Sequence, residues 1–266
     1  MTTQLLIYER ATPINKNKHS DWSVKAGKNF DFAKNINSVP LTAVEFPSAA
    51  AEYSIIFAGN DEAVMPAVIL GVRDQENLYI SDDGKWNSKY IPAYLRRYPF
   101  VFSGSQDAKQ FTLCIDEEFS GCNQEGKGER LFDADGEQTQ YLKSVLNFSS
   151  EYQGQFNRTQ LFCKKLKELD LLEPMQAQIT LPSGEKMNLG GFQAVSREKL
   201  KGLSDEQLGE LAKTDELELI YLHLQSMRNF NLMLAKFSDE GSKTEEVESE
   251  SESENQELDD ATGSVH

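Results

Sequence analysis

The sequence predicts an α+β fold in which an N-terminal, mainly antiparallel β-sheet packs with a C-terminal helical part containing a β-hairpin. Three observations predict it. Short apolar or alternating runs separated by turn residues fill the first half, helical periodicity begins near residue 138, and a Pro182-Ser183-Gly184 turn separates two later extended runs. We therefore expect a globular body over residues 1–237, β-rich over about 38–136 and helical with a hairpin over about 137–237.

The first half contains six runs that we predict as strands. They cover residues 41–46, 54–58, 67–72, 78–81, 98–103 and 111–115. Turn residues between them favour sequential antiparallel pairing. Residues 88–97 are predicted as a short helix that opens just after Asn87 and that Pro92 restricts to about its first turn.

The second half begins with helical periodicity. Apolar side chains recur at Tyr141, Leu142, Val145, Leu146 and Phe148, and again over residues 158–169, with Pro174 as the stop. The hairpin is predicted over residues 177–181 and 186–189 and is expected to end at Gly190-Gly191. Later helices are expected to start at Ser196, at Ser204 with a capping box to Gln207, and at Thr214 or Asp215, the last one running to about residue 237.

The formal charge of -16 is concentrated at the C-terminus. Residues 238–266 contain eleven acidic residues and one lysine, so most of the negative charge belongs to this segment. Low hydrophobicity and high charge predict that it is a disordered acidic tail. A body with little net charge and no basic stripe argues against nucleic-acid binding, which needs clustered Lys and Arg.

Several other function classes are disfavoured by the sequence. The apolar runs are too short for a signal peptide or a membrane span, and Cys114, Cys122 and Cys163 lack the spacing of a disulfide framework or a zinc site. Standard phosphate-binding loops are missing. We therefore expect a cytoplasmic protein with reduced thiols, without membrane insertion and without a cofactor or metal.

A cluster of aromatic and basic residues is the main candidate ligand site. Trp86 and Tyr90 precede Arg96 and Arg97 within one short stretch. Arginine pairs with carboxylates and stacks on rings, so this stretch could hold a peptide or an acidic small molecule. The alternative is structural, with the aromatic rings anchoring a helix to the sheet. Asp116, at the end of a predicted strand, completes the set of candidate ligand-binding residues.

Carboxylates and histidine provide further candidates. Asp116 starts a run of three carboxylates with Glu117 and Glu118, and Asp133 and Asp135 lie in a later turn. Such groups could bind a divalent cation or perform acid and base steps, whereas turn formation is the structural alternative. Only one histidine, His223, lies in a predicted regular element, where a buried structural role is the alternative to catalysis.

The order of these segments resembles the bacterial SapC family. The resemblance is carried by Tyr90-Ile-Pro-Ala-Tyr-Leu-Arg-Arg-Tyr-Pro-Phe100, by Leu131-Phe-Asp-Ala-Asp-Gly136 and by Leu219-Ile-Tyr-Leu-His-Leu-Gln-Ser226, and it spans roughly residues 15–235. Members are named for an association with surface-layer proteins, and relatives tend to be encoded near outer-membrane receptors, cupin-like proteins and flavin-dependent halogenases. The resemblance implies a context and no catalytic residues. A peptide-transport permease of the same name is unrelated.

Three hypotheses follow. The leading one is an accessory or binding protein of a surface-layer or outer-membrane uptake system, with a groove near Trp86, Tyr90, Arg96 and Arg97. The rival is an enzyme that modifies a peptide or small molecule through Asp116, Glu117 or Asp135, with or without a metal. The third is a body that only assembles with copies of itself.

Overall fold

The computed structural model describes residues 6–25, 27, 29–60, 63–104, 111–180, 186–231 and 233, the side chains of 177–180 and 187 excepted. Antiparallel sheets and several helices confirm the predicted α+β class. The strands of the described residues are β1 (Ala11–Pro13), β2 (Ser23–Val24), β3 (Ser38–Pro40), β4 (Ile55–Gly59), β5 (Val64–Ile69), β6 (Phe100–Gly104), β7 (Phe111–Asp116), β8 (Cys122–Asn123), β9 (Glu129–Arg130), β10 (Leu172–Thr180) and β11 (Lys186–Val195).

The helices vary widely in length. The α-helices are α1 (Lys16–His19), α2 (Phe46–Ala49), α3 (Ala93–Arg96), α4 (Gln140–Glu168), α5 (Arg197–Lys201), α6 (Asp205–Lys213) and α7 (Glu216–Ser226), and 3₁₀ helices lie at Asp31–Ala33 and Ala43–Glu45. Among the described helices, none is long and apolar enough to span a membrane.

The main sheet has five antiparallel strands in the order β10-β11-β4-β5-β3. Phe192 and Gln193 of β11 pair with Ala58 and Phe57 of β4. Because β4 lies inside the sheet, Ile55, Ile56 and Phe57 are all buried. The hairpin of the second half thus completes the sheet of the first half.

Two smaller sheets lie beside it. One has the order β1-β7-β6 and the other the order β8-β2-β9. A second cluster of buried apolar side chains packs between these sheets and the first turns of α4, with Phe100, Ile115, Leu131 and Leu142 among its members. These contacts fix the position of the first turns of α4 against β6.

The long helix α4 begins at a side-chain cap and crosses the body. The Thr139 hydroxyl accepts a hydrogen bond from the backbone nitrogen of Leu142. Buried side chains then recur mainly at spacings of three and seven residues from Leu142 through Ser149 and Tyr152 to Leu166, as expected for one face of a helix. This single 29-residue helix replaces the two helical stretches read from the sequence.

Two predicted strands are wrong. Residues 41–46 form a 3₁₀ helix leading into α2, because Thr42 and Glu45 make a capping box in which each side chain bonds the other's backbone nitrogen. Residues 78–81 form turns, with only an isolated bridge between Ile80 and Trp86. In both cases buried apolar side chains imitate a strand pattern while the backbone turns.

The roles predicted for two prolines and for a pair of glycines also differ from the structure. The helix predicted over residues 88–97 begins only after Pro92, which is the residue before the first turn of α3. The predicted stop at Pro174 is wrong as well, since α4 ends at Glu168 and Pro174 lies within β10. Gly190 and Gly191 do not end the hairpin; they form a bulge in β11, where Gly191 has a φ of 81°.

The C-terminal helices are largely as predicted. The capping box of Ser204 and Gln207 is confirmed. Asp215 precedes α7, but two turn residues after Ser226 interrupt the helix that was expected to continue to about residue 237. The hairpin turn at residues 182–184 and the predicted acidic tail over residues 238–266 lie outside the described residues.

Candidate functional site

A buried carboxylate anchors the segment that carries the candidate site. One oxygen of Glu45, Oε1, accepts hydrogen bonds from the Tyr90 hydroxyl at 2.8 Å and from the Ala93 backbone nitrogen at 2.7 Å. The other, Oε2, accepts from the Thr42 backbone nitrogen and hydroxyl, each at 2.8 Å. Four hydrogen bonds offset the cost of burying this carboxylate. Glu45 therefore fixes both Tyr90 and the start of α3.

Trp86 is held in place by hydrogen bonds and by a ring contact. Its indole nitrogen donates to the Tyr53 hydroxyl at 3.1 Å and to the Tyr90 carbonyl at 3.0 Å, and its ring stacks on that of Tyr79. Tyr53 also donates its hydroxyl hydrogen to the Tyr90 carbonyl. These contacts therefore agree with a structural role for Trp86, as an aromatic ring that anchors its segment.

Arg97 lies among three tyrosine rings. Its guanidinium carbon is 4.4 Å from the ring centre of Tyr94, 4.7 Å from that of Tyr152 and 5.7 Å from that of Tyr8. Burial raises the pKa of Tyr8, Tyr94 and Tyr152, so the rings stay neutral while the guanidinium stays charged. The arginine is thus held by ring faces, each a favourable cation–π contact, and by a side-chain hydrogen bond to Tyr8.

Arg96 takes the more exposed position beside it. Its guanidinium carbon lies 5.4 Å from the ring centre of Phe148 and 5.8 Å from that of Tyr90. Its Nε donates to the Ile91 carbonyl at 3.0 Å, and one Nη lies 3.4 Å from the Tyr90 hydroxyl. Neither Arg96 nor Arg97 forms an ion pair with an acidic side chain in the described ranges.

A cavity of about 260 Å³ lies between these arginines and α4. We call it the arginine cavity. Its lining residues are Arg96, Arg97, Tyr98, Phe100, Tyr141, Ser144, Val145, Phe148 and Ser149.

Two polar atoms of the arginine cavity's lining are unusual. Arg97 Nε and Ser149 Oγ are buried and have no hydrogen-bond partner among the described residues. Most buried polar atoms in proteins are paired, and an unpaired one calls for a specific explanation. A ligand that accepts hydrogen bonds from both atoms provides one. The arginine cavity is therefore the strongest candidate site.

A larger cavity of about 380 Å³ lies between β7 and the first turns of α4. Its lining combines apolar side chains from β7 and α4, such as Leu113 and Leu146, with Lys16. No buried polar atom of its lining lacks a partner in the part of the chain that the structure describes. Size alone therefore does not make it the better candidate.

Asp116 is fully buried and serves the scaffold. Its carboxylate accepts hydrogen bonds from the backbone nitrogens of Glu9 at 2.9 Å, Arg10 at 3.0 Å and Glu118 at 3.2 Å, and from the Tyr98 hydroxyl at 3.3 Å. These bonds tie the segment before β1 to the end of β7. Asp116 does not line the arginine cavity, although Tyr98 contacts both.

Glu117 belongs to a cluster of charges at the same edge. It pairs with Lys18, with Arg10 at 3.1 Å and with the buried His19 at 3.1 Å. Burial opposes its ionisation, but the hydrogen bonds from Lys18 and His19 outweigh this effect and lower its carboxyl pKa. This carboxylate is thus held ionised by its partners.

Asp133 and Asp135 form a turn. The Asp133 carboxylate accepts from the backbone nitrogens of Asp135 at 3.0 Å and Glu137 at 2.9 Å. Within the described ranges, no group of three or more His, Cys, Asp or Glu is placed to hold a metal ion. Turn formation accounts for these two residues.

His223 connects three elements of the core. Because the Val195 nitrogen can only donate and the Ile55 carbonyl can only accept, Nε2 accepts from Val195 at 3.0 Å and Nδ1 donates to Ile55 at 2.9 Å. Burial lowers the pKa of His223 to about 4. A neutral histidine therefore joins α7 to β4 and β11.

The three cysteines are free thiols, as expected. Burial raises the pKa of Cys122 and of Cys163 to about 12, and it also raises that of Cys114. A thiol with a raised pKa carries little reactive thiolate near neutral pH. These side chains therefore act as small apolar groups.

The structure brings part of the predicted site together. Arg96 and Arg97 line one cavity, Tyr90 positions Arg96 from outside it, and Trp86 and Asp116 lie in packing and scaffold positions. Ligand binding by the five residues stays a prediction. Sequence reasoning missed Ser149, whose signal was a serine four residues after Val145 on the apolar face of a helix.

The SapC family model matches residues 14–233. The chain belongs to the SapC family. The match covers the two arginines, the tyrosines that surround Arg97 except Tyr8, and the whole of α4. Searches of curated proteins and of solved structures gave no significant match. The arginine cavity of this SapC family member is therefore interpreted from its own geometry.

Proposed function

We propose that this SapC family protein binds a small carboxylate-bearing ligand, an acidic small molecule or the carboxyl end of a peptide, in the arginine cavity. The single observation that carries the proposal is the pair of unpartnered buried atoms in its lining, Arg97 Nε and Ser149 Oγ. Both atoms carry hydrogens, so the group that completes them is an acceptor.

The charge of the site favours an anion. Two guanidinium groups lie at the arginine cavity without a carboxylate partner in the described part of the chain. Arginine binds carboxylates with charge-assisted hydrogen bonds, which are about twice as strong as neutral ones. A carboxylate therefore supplies both the missing acceptor and the missing counter-charge.

Isothermal titration calorimetry with the full chain tests this proposal. Monocarboxylates are expected to bind and their amide analogues to bind at least about tenfold more weakly, since a bond to a charged group contributes roughly 1.5–3 kcal/mol. Arg96→Ala and Arg97→Lys are expected to weaken carboxylate binding by a similar factor. Arg158→Ala removes an exposed arginine of α4 that does not line the arginine cavity, and it is the matched control.

Equal binding of acids and amides, or unchanged binding in both arginine variants, would remove the arginine cavity as an anion site. Arg97→Lys is preferred to alanine here because it keeps the charge and much of the volume while losing Nε. Circular dichroism of each variant separates loss of binding from loss of the fold.

The biological context is a second part of the proposal. We place the protein in the cytoplasm, where it would serve a surface-layer or outer-membrane uptake system as an accessory binding protein. Membership of the SapC family supports the link to a surface-layer system through the association for which its members are named. Cell fractionation tests the location. Recovery with the surface fraction would contradict it.

The rival hypothesis of an enzyme gains no support from the carboxylates on which it relied. Both carboxylate oxygens of Asp116 accept hydrogen bonds from backbone nitrogens or from Tyr98. Glu117 is ion-paired, and Asp133 closes the turn that contains Asp135. Self-assembly stays a prediction, which light scattering across a dilution series tests.

A further inference from the structure

The wall of the arginine cavity is apolar along one face of α4. Tyr141, Val145 and Phe148 recur at spacings of four and three residues, which places them on the same side of the helix, and Phe100 of β6 lies opposite. A bare anion leaves these side chains uncovered. The ligand that fits the whole cavity therefore carries an apolar body next to its carboxylate.

Both unpartnered atoms are buried and belong to residues that line the arginine cavity. Ser149 is 5% exposed, and Tyr152, one turn further along α4, is the ring on which the Arg97 guanidinium rests at 4.7 Å. Ser149 and the ring that supports Arg97 are thus three residues apart on one face of the helix. Arg96, in contrast, is exposed and rests on Phe148.

The other serine of the wall already has a hydrogen-bond partner. Ser144 is exposed and donates to the Gln140 carbonyl at 2.9 Å. Ser149, with the same kind of side chain one turn later, makes no such bond within the described residues. Its hydroxyl hydrogen is therefore free to donate a hydrogen bond to a ligand.

The volume limits the size of the ligand. Sites for drug-sized molecules span about 300–1,000 Å³, whereas the arginine cavity measures about 260 Å³. This space suits a body about as large as one amino-acid residue. A ligand of several consecutive peptide residues would extend beyond it.

Resting on the proposed function, we propose that the ligand is a free monocarboxylic acid with one residue-sized apolar, preferably aromatic, body. Its carboxylate accepts hydrogen bonds from Arg97 Nε and Ser149 Oγ. Its body packs on Val145, Phe148 and Phe100 toward Arg96. Ser149 is then a specificity-determining residue of the binding site.

Calorimetry with four probes tests the ligand class. The probes are propionate, 3-phenylpropionate, 3-phenylpropanol and the tripeptide Ala-Ala-Phe. We expect 3-phenylpropionate to bind at least about tenfold more tightly than propionate, because burying an aromatic ring contributes more than the energy of a tenfold change. We expect the alcohol and the tripeptide to bind at least about tenfold more weakly than 3-phenylpropionate.

Ser149→Ala tests the specificity residue. The affinity for 3-phenylpropionate is expected to fall about tenfold while the melting temperature of the free protein stays the same or rises, since no described hydrogen bond is lost. Ser150→Ala, which changes the exposed neighbouring serine, is the control and should change neither quantity. A clear drop in the melting temperature of free Ser149→Ala would show a structural role and overturn the assignment.

The outcomes separate this inference from the proposed function. Equal affinities for propionate and 3-phenylpropionate would overturn the apolar body while leaving anion binding intact. An equally tight tripeptide would overturn the size limit and favour a peptide carboxyl end. Equally tight binding of the alcohol, or no binding of any probe, would overturn both proposals.

Discussion

The guanidinium carbon of Arg97 lies 4.7 Å from the ring centre of Tyr152, a residue of α4 that is 8% exposed. This contact joins the end of the short helix α3 to the long helix α4. Arg97 also lines the arginine cavity, and its Nε has no partner among the described residues. Packing and the proposed ligand binding therefore involve the same side chain.

Arg97→Ala is expected to destabilise the protein by about 3 kcal/mol. The change removes the stacking contacts with Tyr8, Tyr94 and Tyr152 and leaves a void among the rings. Urea denaturation measures it. Arg97→Lys, which keeps the charge and the stem, should cost clearly less; equal losses for the two variants would mean that the planar stack contributes nothing.

Glu45→Ala is expected to destabilise the protein by about 3 kcal/mol or more. Four donors from the backbone and from Thr42 and Tyr90 would lose their acceptor in a buried place. Chemical denaturation is the measurement. Glu168→Ala, at an exposed helix end, is the control, and a comparable loss for both changes would contradict the anchoring role of Glu45.

His223 predicts a pH dependence of stability. Its pKa falls from an ordinary 6.5 to about 4 in the folded protein, so the unfolded chain binds the proton more tightly between these values. Stability is therefore complete above about pH 6.5 and is lost as the pH falls toward 4, by about 3 kcal/mol in total. Unfolding free energies across this range measure the loss.

Carboxyl groups ordinarily titrate near pH 4 as well. The contribution of His223 is therefore obtained by comparing the protein with a His223 variant. His223→Gln should be less stable at pH 7, because the core contacts change, but its free energy of unfolding should fall less between pH 6.5 and pH 4.5. Parallel pH profiles for the two proteins would show that His223 does not carry the effect.

Two glycines should respond oppositely to alanine. Gly191 has a φ of 81° in the bulge of β11, with no atom near an added Cβ, so Gly191→Ala should cost about 1–2 kcal/mol from the backbone alone. Gly154 lies within α4 with the same open surroundings, and Gly154→Ala should stabilise by about 0.5–1 kcal/mol. Thermal unfolding measures both, and changes of the same sign would contradict the account.

The sequence predicted those elements whose side-chain pattern matches their backbone. Strands near Ile55 and Phe100 and the capping box of Ser204 and Gln207 belong to this group. The strand predicted over residues 41–46 is wrong because Leu41 and Phe46 are buried while Thr42 and Glu45 turn the backbone into a 3₁₀ helix. Burial pattern alone does not distinguish a strand from a buried turn.

The candidate site, too, was predicted from the sequence only in part. Arg96 and Arg97 were predicted because they are adjacent to aromatic residues in the chain. Ser149 lies about fifty residues away, and only the packing of α3 on α4 brings it to the same cavity. Its unpartnered hydroxyl is a property of the folded protein that no local pattern carries.

A crystal structure of the full chain with 3-phenylpropionate tests the central claim most directly. The account predicts one ligand in the arginine cavity, with its carboxylate oxygens about 3 Å from Arg97 Nε and Ser149 Oγ and its ring against Phe148. A ligand bound elsewhere, or one in the arginine cavity that leaves Arg97 Nε and Ser149 Oγ unpartnered, would contradict it.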